Sequence, residues 1–269
     1  MKKILAFFAI VLLLFSGCTI PPPSGSTSSQ QSTTQAIVEK VVERLGYIDS
    51  SQKALVIGNS EYESGKLVNP TNDANDIAEI LNEMNFYVIK ATNLKVDGMN
   101  EVIKEFKETL IKYRLETDVA LFYFSGHGAG IDVDGNNYLF SINNNIDAEI
   151  AQGGGANHSD EILTDMKDIN RNGVNLMIID ACRNQFSPYI GSYKSRFRGG
   201  MYPPKSSPNG TAQSYATAFG ETASDNIKED NSLYTKYLLE TLKIAKNKPI
   251  DFEEVLMKTR ELVSRLVPK

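Results

Sequence analysis

From Lys53 onward the chain alternates short unbroken apolar runs with longer stretches of helical spacing. Ala54-Leu55-Val56-Ile57-Gly58 is rich in branched residues and reads as a buried parallel strand. Asp73–Met84 carries Ala74, Ile77, Ile80, Leu81 and Met84 on one helical face. Phe86–Ile89 predicts a second strand, Met99–Tyr113 an amphipathic helix, and Val119–Phe124 a third strand. Tyr138–Ile142 predicts a short added strand after the turn residues Gly135-Asn136-Asn137. A helix around Ile162–Ile169 follows a loop with three glycines, and Leu176–Ile179 is the fourth main strand. Ser214–Phe219 predicts a further strand, and helices over Leu233–Ala245 and Phe252–Leu266 close the chain, the last with Asp251 as N-cap. Strands separated by amphipathic helices predict a mainly parallel α/β sheet covered on both faces, with ligands at the carboxyl ends of its strands.

The N-terminal segment follows a different logic. Lys2 and Lys3 precede the apolar run Ile4–Phe15, which ends in Ser16-Gly17-Cys18. A positive start, a short apolar stretch and small residues before a cut describe an export signal over residues 1–17. The run is shorter than the ~20 residues that span a bilayer. Small-small-Cys also resembles a bacterial lipobox, which implies that Cys18 is lipidated and anchors the exported protein to a membrane; an ordinary secretory signal is the other reading. Thr19–Gln35 is Pro, Ser, Thr, Gln and Gly with almost nothing apolar, so residues 18–50 read as a flexible tether. Ile37, Val38, Val41, Val42 and Leu45 have the spacing of a short helix at its end. Residues 51–269 form the folded domain.

Composition narrows the chemistry. The 269 residues carry a formal charge of −5, which argues against a nucleic-acid partner because that needs a basic face. Only two cysteines, Cys18 and Cys182, and two histidines, His127 and His158, are present. That excludes a four-cysteine zinc site and leaves no disulfide framework. No cofactor is called for by any motif: there is no phosphate-binding glycine loop and no HExxH. Asp132 and Asp134 faintly resemble a calcium loop but lack its Glu at position twelve, so no metal ligand is assigned. His158 reads as a surface residue.

Two strands run into reactive groups. Val119–Phe124 leads into Ser125-Gly126-His127-Gly128, and Asn175–Ile179 leads into Asp180-Ala181-Cys182-Arg183. If the strands are parallel, imidazole and thiol emerge at one edge of the sheet. An imidazole with pKa near ~6.5 serves as acid and base, and a thiol beside it becomes a nucleophile. These motifs together resemble the caspase-like cysteine peptidases, whose His-to-Cys spacing of about 50 residues is close to that found here. Lys53–Asn59 with Asn72-Asp73-Ala74 is similar to the opening strand and loop of the metacaspase and paracaspase branch. Ser214–Gly220 resembles the substrate-binding strand and loop of caspases.

The resemblance implies a three-layer α/β/α fold and a cysteine endopeptidase. His127 and Cys182 would be the catalytic dyad, and the N–H groups of Gly128 and Cys182 the oxyanion hole. Asp73, Ser125 and Asp180 would line the primary pocket with Tyr215, Ala216 and Asp225 as further substrate-binding positions. Acidic pocket residues select Arg, then Lys, in a protein or peptide substrate. For Asp73 a helix N-cap is an equal reading. Some metacaspases depend on calcium, so calcium stays open without a site. Lys194, Arg196, Arg198 and Lys205 lie where caspases are cut between subunits, which makes Lys194–Arg198 a self-processing segment or simply a solvated loop. Two alternatives stand beside the peptidase: a non-catalytic caspase-like binding or scaffold lipoprotein, and a thiol hydrolase of a non-peptide acyl bond.

Overall fold

The computed structural model describes residues 42–63, 65–131, 136–143, 158–182, 197–198, 201, 209–216, 229–248 and 250–265. Eight strands form its sheet: β1 (Val42–Leu45), β2 (Gln52–Gly58), β3 (Tyr87–Thr92), β4 (Val119–Ile131), β5 (Asn136–Leu139), β6 (Val174–Cys182), β7 (Phe197–Arg198) and β8 (Thr211–Tyr215). Among the described residues five helices flank it: α1 (Pro70–Glu83), α2 (Val96–Lys112), α3 (Ser159–Ile169), α4 (Leu233–Asn247) and α5 (Phe252–Ser264).

The main strands run β1-β3-β2-β4-β6-β8. All neighbours are parallel except β1, which pairs antiparallel with β3. The central strands are buried on both sides, which is why they read as continuous apolar runs rather than alternating ones. One face packs Leu55, Ile57, Phe122, Phe124 and Ile179 against Val102 and Phe106 of α2 and Ile162 and Met166 of α3. The opposite face packs Ala54, Val56, Leu121, Tyr123 and Ile178 against Ile77 and Leu81 of α1, Leu238 and Leu242 of α4, and Val255 of α5. The fold is the expected three-layer α/β/α arrangement.

Three local expectations need correction. The apolar spacing up to Leu45 ends in an edge strand rather than a helix, with Val42 opposite Ala91 and Leu45 opposite Val88. Four residues are too few to separate the two periodicities, and pairing with β3 decides the outcome. The edge strand therefore carries the sheet beyond the expected domain start at residue 51. The expected Ser214–Phe219 strand begins earlier, at Thr211, and ends at Tyr215, because it pairs with Asn175–Ile179 of β6. His158 is half-buried rather than superficial: it bridges to Tyr138 and packs edge-on against that ring, centroids 4.1 Å apart.

β4 is much longer than its apolar run. Beyond Phe124 it continues past the rim, pairing with Asp180–Cys182 of β6 and then antiparallel with β5 and β7. The residues of interest lie where it leaves the core.

Candidate active site

The β4–β6 ladder brings the two sequence motifs into register. Ser125 stands opposite Asp180, Gly126 opposite Ala181, and His127 opposite Cys182. Parallel neighbours lie about 4.8 Å apart, so the His127–Cys182 rung sets the two backbones side by side at the carboxyl edge. Gly58 ends β2 opposite Ser125 on the other side of β4, and α1 begins above it. A Cβ on Gly58 would come within 2.1 Å of the Pro70 carbonyl oxygen, so only glycine lets α1 sit this low on the rim.

His127 is buried. Its ring packs on Tyr62, centroids 4.3 Å apart, and its backbone N–H donates to the Tyr62 hydroxyl at 2.8 Å. That hydroxyl in turn donates to the Phe140 carbonyl at 3.0 Å. A Cβ at Gly126 would fall 2.4 Å from the Tyr62 oxygen, so the approach depends on glycine there. Burial pushes the imidazole down to about 4, opposed by a hydrogen bond with the Gly65 backbone. At neutral pH the ring is therefore in its neutral, proton-accepting form. Gly128 follows in β4 opposite Leu139, and a Cβ there would press at 3.1 Å on Ala181 Cβ and on the Tyr138 carbonyl.

Two rungs earlier lies a buried pair of carboxylates. Ser125 Oγ donates to Asp73 Oδ2 at 2.9 Å, and the Ser232 N–H donates to Asp73 Oδ1 at 3.0 Å. Asp180 Oδ2 accepts from Ser232 Oγ, and from Thr235 Oγ1 at 2.7 Å. Asp73 is fully buried and is not the N-cap of α1: Asn69 holds that position, with Pro70 next, and accepts the Asp73 N–H on its carbonyl. The N-cap reading of Asp73 is overturned. Burial, and next the Asp180 charge, push the Asp73 carboxyl up to about 8, against hydrogen bonds from Ser232, Ser125 and Asn231 that favour its ionised form. The buried Tyr123 hydroxyl is raised well above its ordinary value, chiefly by burial and then by the same two aspartates.

The sequence reading missed Tyr62, Ser232 and Thr235. Ser232 carried a usable signal, a serine directly before the apolar face of a helix, and it does cap α4 by accepting the Thr235 N–H at 3.2 Å. Tyr62 sits in a polar loop with no periodicity to mark it. Of the other expected positions, Tyr215 pairs with Ile179 and sends its hydroxyl to Gln213 Oε1 at 2.8 Å, while Ala216 donates its N–H to the Ile179 carbonyl at 3.0 Å. Tyr215 ends β8 and Ala216 follows it, both beside the end of β6. Asp225, Lys194, Arg196, Lys205, Asp132, Asp134, Cys18 and residues 1–41 lie outside the described residues. Arg198 pairs through β7 with Gly130 of β4. Among the described residues no group of three or more His, Cys, Asp or Glu side chains could hold a metal ion, and no helix is long and apolar enough to cross a membrane.

This geometry agrees with a family comparison: a family model described as "Caspase domain" matches residues 51–269. The chain belongs to the caspase-domain family. Members of that family are cysteine peptidases. A solved structure with a similar fold is caspase-1 from Spodoptera frugiperda, at 15% identity and TM-score 0.55, covering 79% of this chain and 78% of that one. The likeness is one of caspase fold. No curated protein matches the sequence.

Proposed function

We propose that the protein is a cysteine endopeptidase that cuts after Arg, and second after Lys, with Cys182 as nucleophile and His127 as general acid and base. The observation that carries this reading is a pair of alternate ladder positions: Ser125–Asp180 for recognition and His127–Cys182 for reaction, two residues apart on the same two strands. A neutral imidazole takes the thiol proton, and the thiolate adds to the substrate carbonyl carbon. The N–H groups of Gly128 and Cys182 receive the oxyanion. The intermediate collapses with loss of the amine, which carries off the proton from the imidazolium. Water, deprotonated by His127, then hydrolyses the thioester and restores the thiol.

Recognition follows from charge. Asp73 and Asp180 are buried, close enough that the Asp180 charge acts on Asp73, and tied to hydroxyls and a backbone N–H. A guanidinium entering between them satisfies both carboxylates at once with forked hydrogen bonds, whereas an ammonium reaches them as a single point charge. An acidic substrate residue is repelled.

The same reading places the enzyme outside the cytoplasm, cut after residue 17 and held at a membrane by lipid on Cys18. β1 runs antiparallel to β3, so the chain enters the sheet at the same edge as His127 and Cys182. Fluorogenic peptides ending in Arg, Lys or Asp, assayed with wild type and Cys182→Ala and with or without calcium, test the proposal. Turnover of Arg and Lys peptides that Cys182→Ala abolishes is expected. Turnover of Asp peptides alone, or turnover that survives the substitution, overturns it.

A further inference from the structure

The carboxylate pair is held from a direction that neither motif contains. α4 starts beside it, and three donors from its first turn reach the two acids. The Ser232 N–H goes to Asp73 Oδ1, while Ser232 Oγ and Thr235 Oγ1 both go to Asp180 Oδ2. The direction of the hydroxyl protons can be followed. Ser232 Oγ accepts the Thr235 N–H and so has its own proton free for Asp180. Thr235 Oγ1 spends its single proton on Asp180, so the buried Tyr123 hydroxyl, 2.6 Å away, donates to Thr235. Asp180 thus sits at the end of two committed hydroxyl donors.

Asp73 differs. One oxygen takes a backbone N–H and the other takes the Ser125 hydroxyl. The groups that face it are Asp180 on β6, Tyr123 and Ser125 on β4, and Ser232 on α4, while Tyr234 of α4 faces Asp180. The approach to α4 adds Asn231, whose side-chain amide also donates to Asp76 on α1 at 2.9 Å. Glu229 and Asp230 precede it and give only their backbone carbonyls to Asn69 and Asn72 of the α1 region, and the Glu229 carboxylate is paired with Lys236. Among the described residues, the groups that set the charge of Asp73 include no cation. The pair therefore cannot hold two full charges cheaply until a cation enters it.

We propose that Ser232, with Thr235 in the same turn, is a positioning residue for recognition of the substrate's cationic head: it clamps the two aspartates together, so that the cation enters between them in exchange for the proton the pair holds. This deepens the specificity reading above and rests on it. The exchange is balanced: the Asp73 carboxylic acid loses one proton to solvent, and the incoming guanidinium or ammonium takes its place as the positive partner.

The test is steady-state cleavage of an Arg-ending peptide across the pH range around 8 by wild type, Ser232→Ala, Thr235→Val and Ser232→Thr. In wild type KM falls as pH rises toward that value. Ser232→Ala raises KM about tenfold, the loss of one hydrogen bond to a charged group, with kcat within about twofold. Its KM midpoint moves to higher pH, because Asp180 without its donor makes the pair hold its proton more tightly. Thr235→Val, which leaves the N-cap bond in place, gives the same displacement if Ser232→Ala fails to fold, and Ser232→Thr restores wild-type behaviour. A second measurement is calorimetric binding of the Arg-ending peptide to Cys182→Ala protein in two buffers of unlike ionisation enthalpy. About one proton is released per peptide near neutral pH if the exchange operates. Equal changes in kcat and KM with an unmoved midpoint, or binding without proton release, overturn the inference while leaving the basic specificity standing. Wild type that ignores Arg and Lys peptides overturns the reading beneath it, and the inference with it.

Discussion

Asp73→Asn separates what the pocket costs the fold from what it contributes to recognition. In the unfolded chain Asp73 ionises near its ordinary value of 3.8, whereas in the fold it keeps its proton to about 8. Between those values the folded state binds more protons than the unfolded state, so stability falls as pH rises. Integrated from about 6.5 to 8 at ~1.36 kcal/mol per pH unit, the loss comes to about 1.5 kcal/mol. Asparagine does not titrate, and it fits the site: its Oδ1 still accepts the Ser232 N–H, and its amide donates to Ser125 Oγ, whose hydroxyl turns to accept. His127 contributes with opposite sign, since its folded value near 4 lies below its unfolded 6.5, and stability rises with pH across that window. That contribution is common to both proteins and cancels in their difference. Thermal melts followed by circular dichroism across this range therefore show the wild-type Tm dropping by roughly 3–6 °C relative to the variant. The variant also loses affinity for Arg-ending peptide by about thirtyfold or more, the cost of removing one buried partner of the cation. Equal pH slopes in the two proteins would refute the claim that Asp73 carries the proton, and unchanged affinity would remove it from the pocket.

Two other outcomes follow from the same geometry. Tyr62→Phe deletes the hydroxyl shared by the His127 N–H and the Phe140 carbonyl; the carbonyl keeps the Asn59 amide, while the buried N–H loses this acceptor at a cost of about 1–3 kcal/mol. Steady-state kinetics should show kcat falling more than KM, and an unchanged kcat contradicts a role in holding the imidazole. Cys18→Ala should move the exported protein from the membrane to the soluble fraction on cell fractionation; a variant that stays in the membrane as fully as wild type contradicts the lipid anchor.

Much of the fold is legible because its strands are buried on both faces. Ala54–Gly58, Val119–Phe124 and Leu176–Ile179 are apolar without interruption, and helices with one apolar face lie between them. The site residues at strand ends are legible for the same reason, since Ser125, His127, Asp180 and Cys182 break such runs. Their register is not legible. It comes from pairing between strands 55 residues apart, and nothing local in either segment states that His127 stands opposite Cys182 rather than Ala181. The start of α1 is not legible: Asp73 reads equally as a capping residue and as a pocket residue, whereas Asn69 and Pro70 begin the helix a turn earlier and turn Asp73 inward. Ser232 was visible as a cap, but its second use, reaching back to two acids on α1 and β6, belongs to tertiary packing. Lys53 shows the same limit: a charged residue at a strand start is fully buried because its ammonium donates to the Ile48 and Ser50 carbonyls, an arrangement that closes the turn before β2.

The account stands or falls on whether His127 and Cys182 act as one unit. Incubating the protein with a peptidyl-arginine electrophile that alkylates thiolates, followed by mass spectrometry of the digested protein, reads this directly. The expected result is one adduct per chain on Cys182 in wild type, with labelling slowed at least about a hundredfold in His127→Ala. An adduct on another residue, or labelling of Cys182 at the same rate without the imidazole, would contradict it.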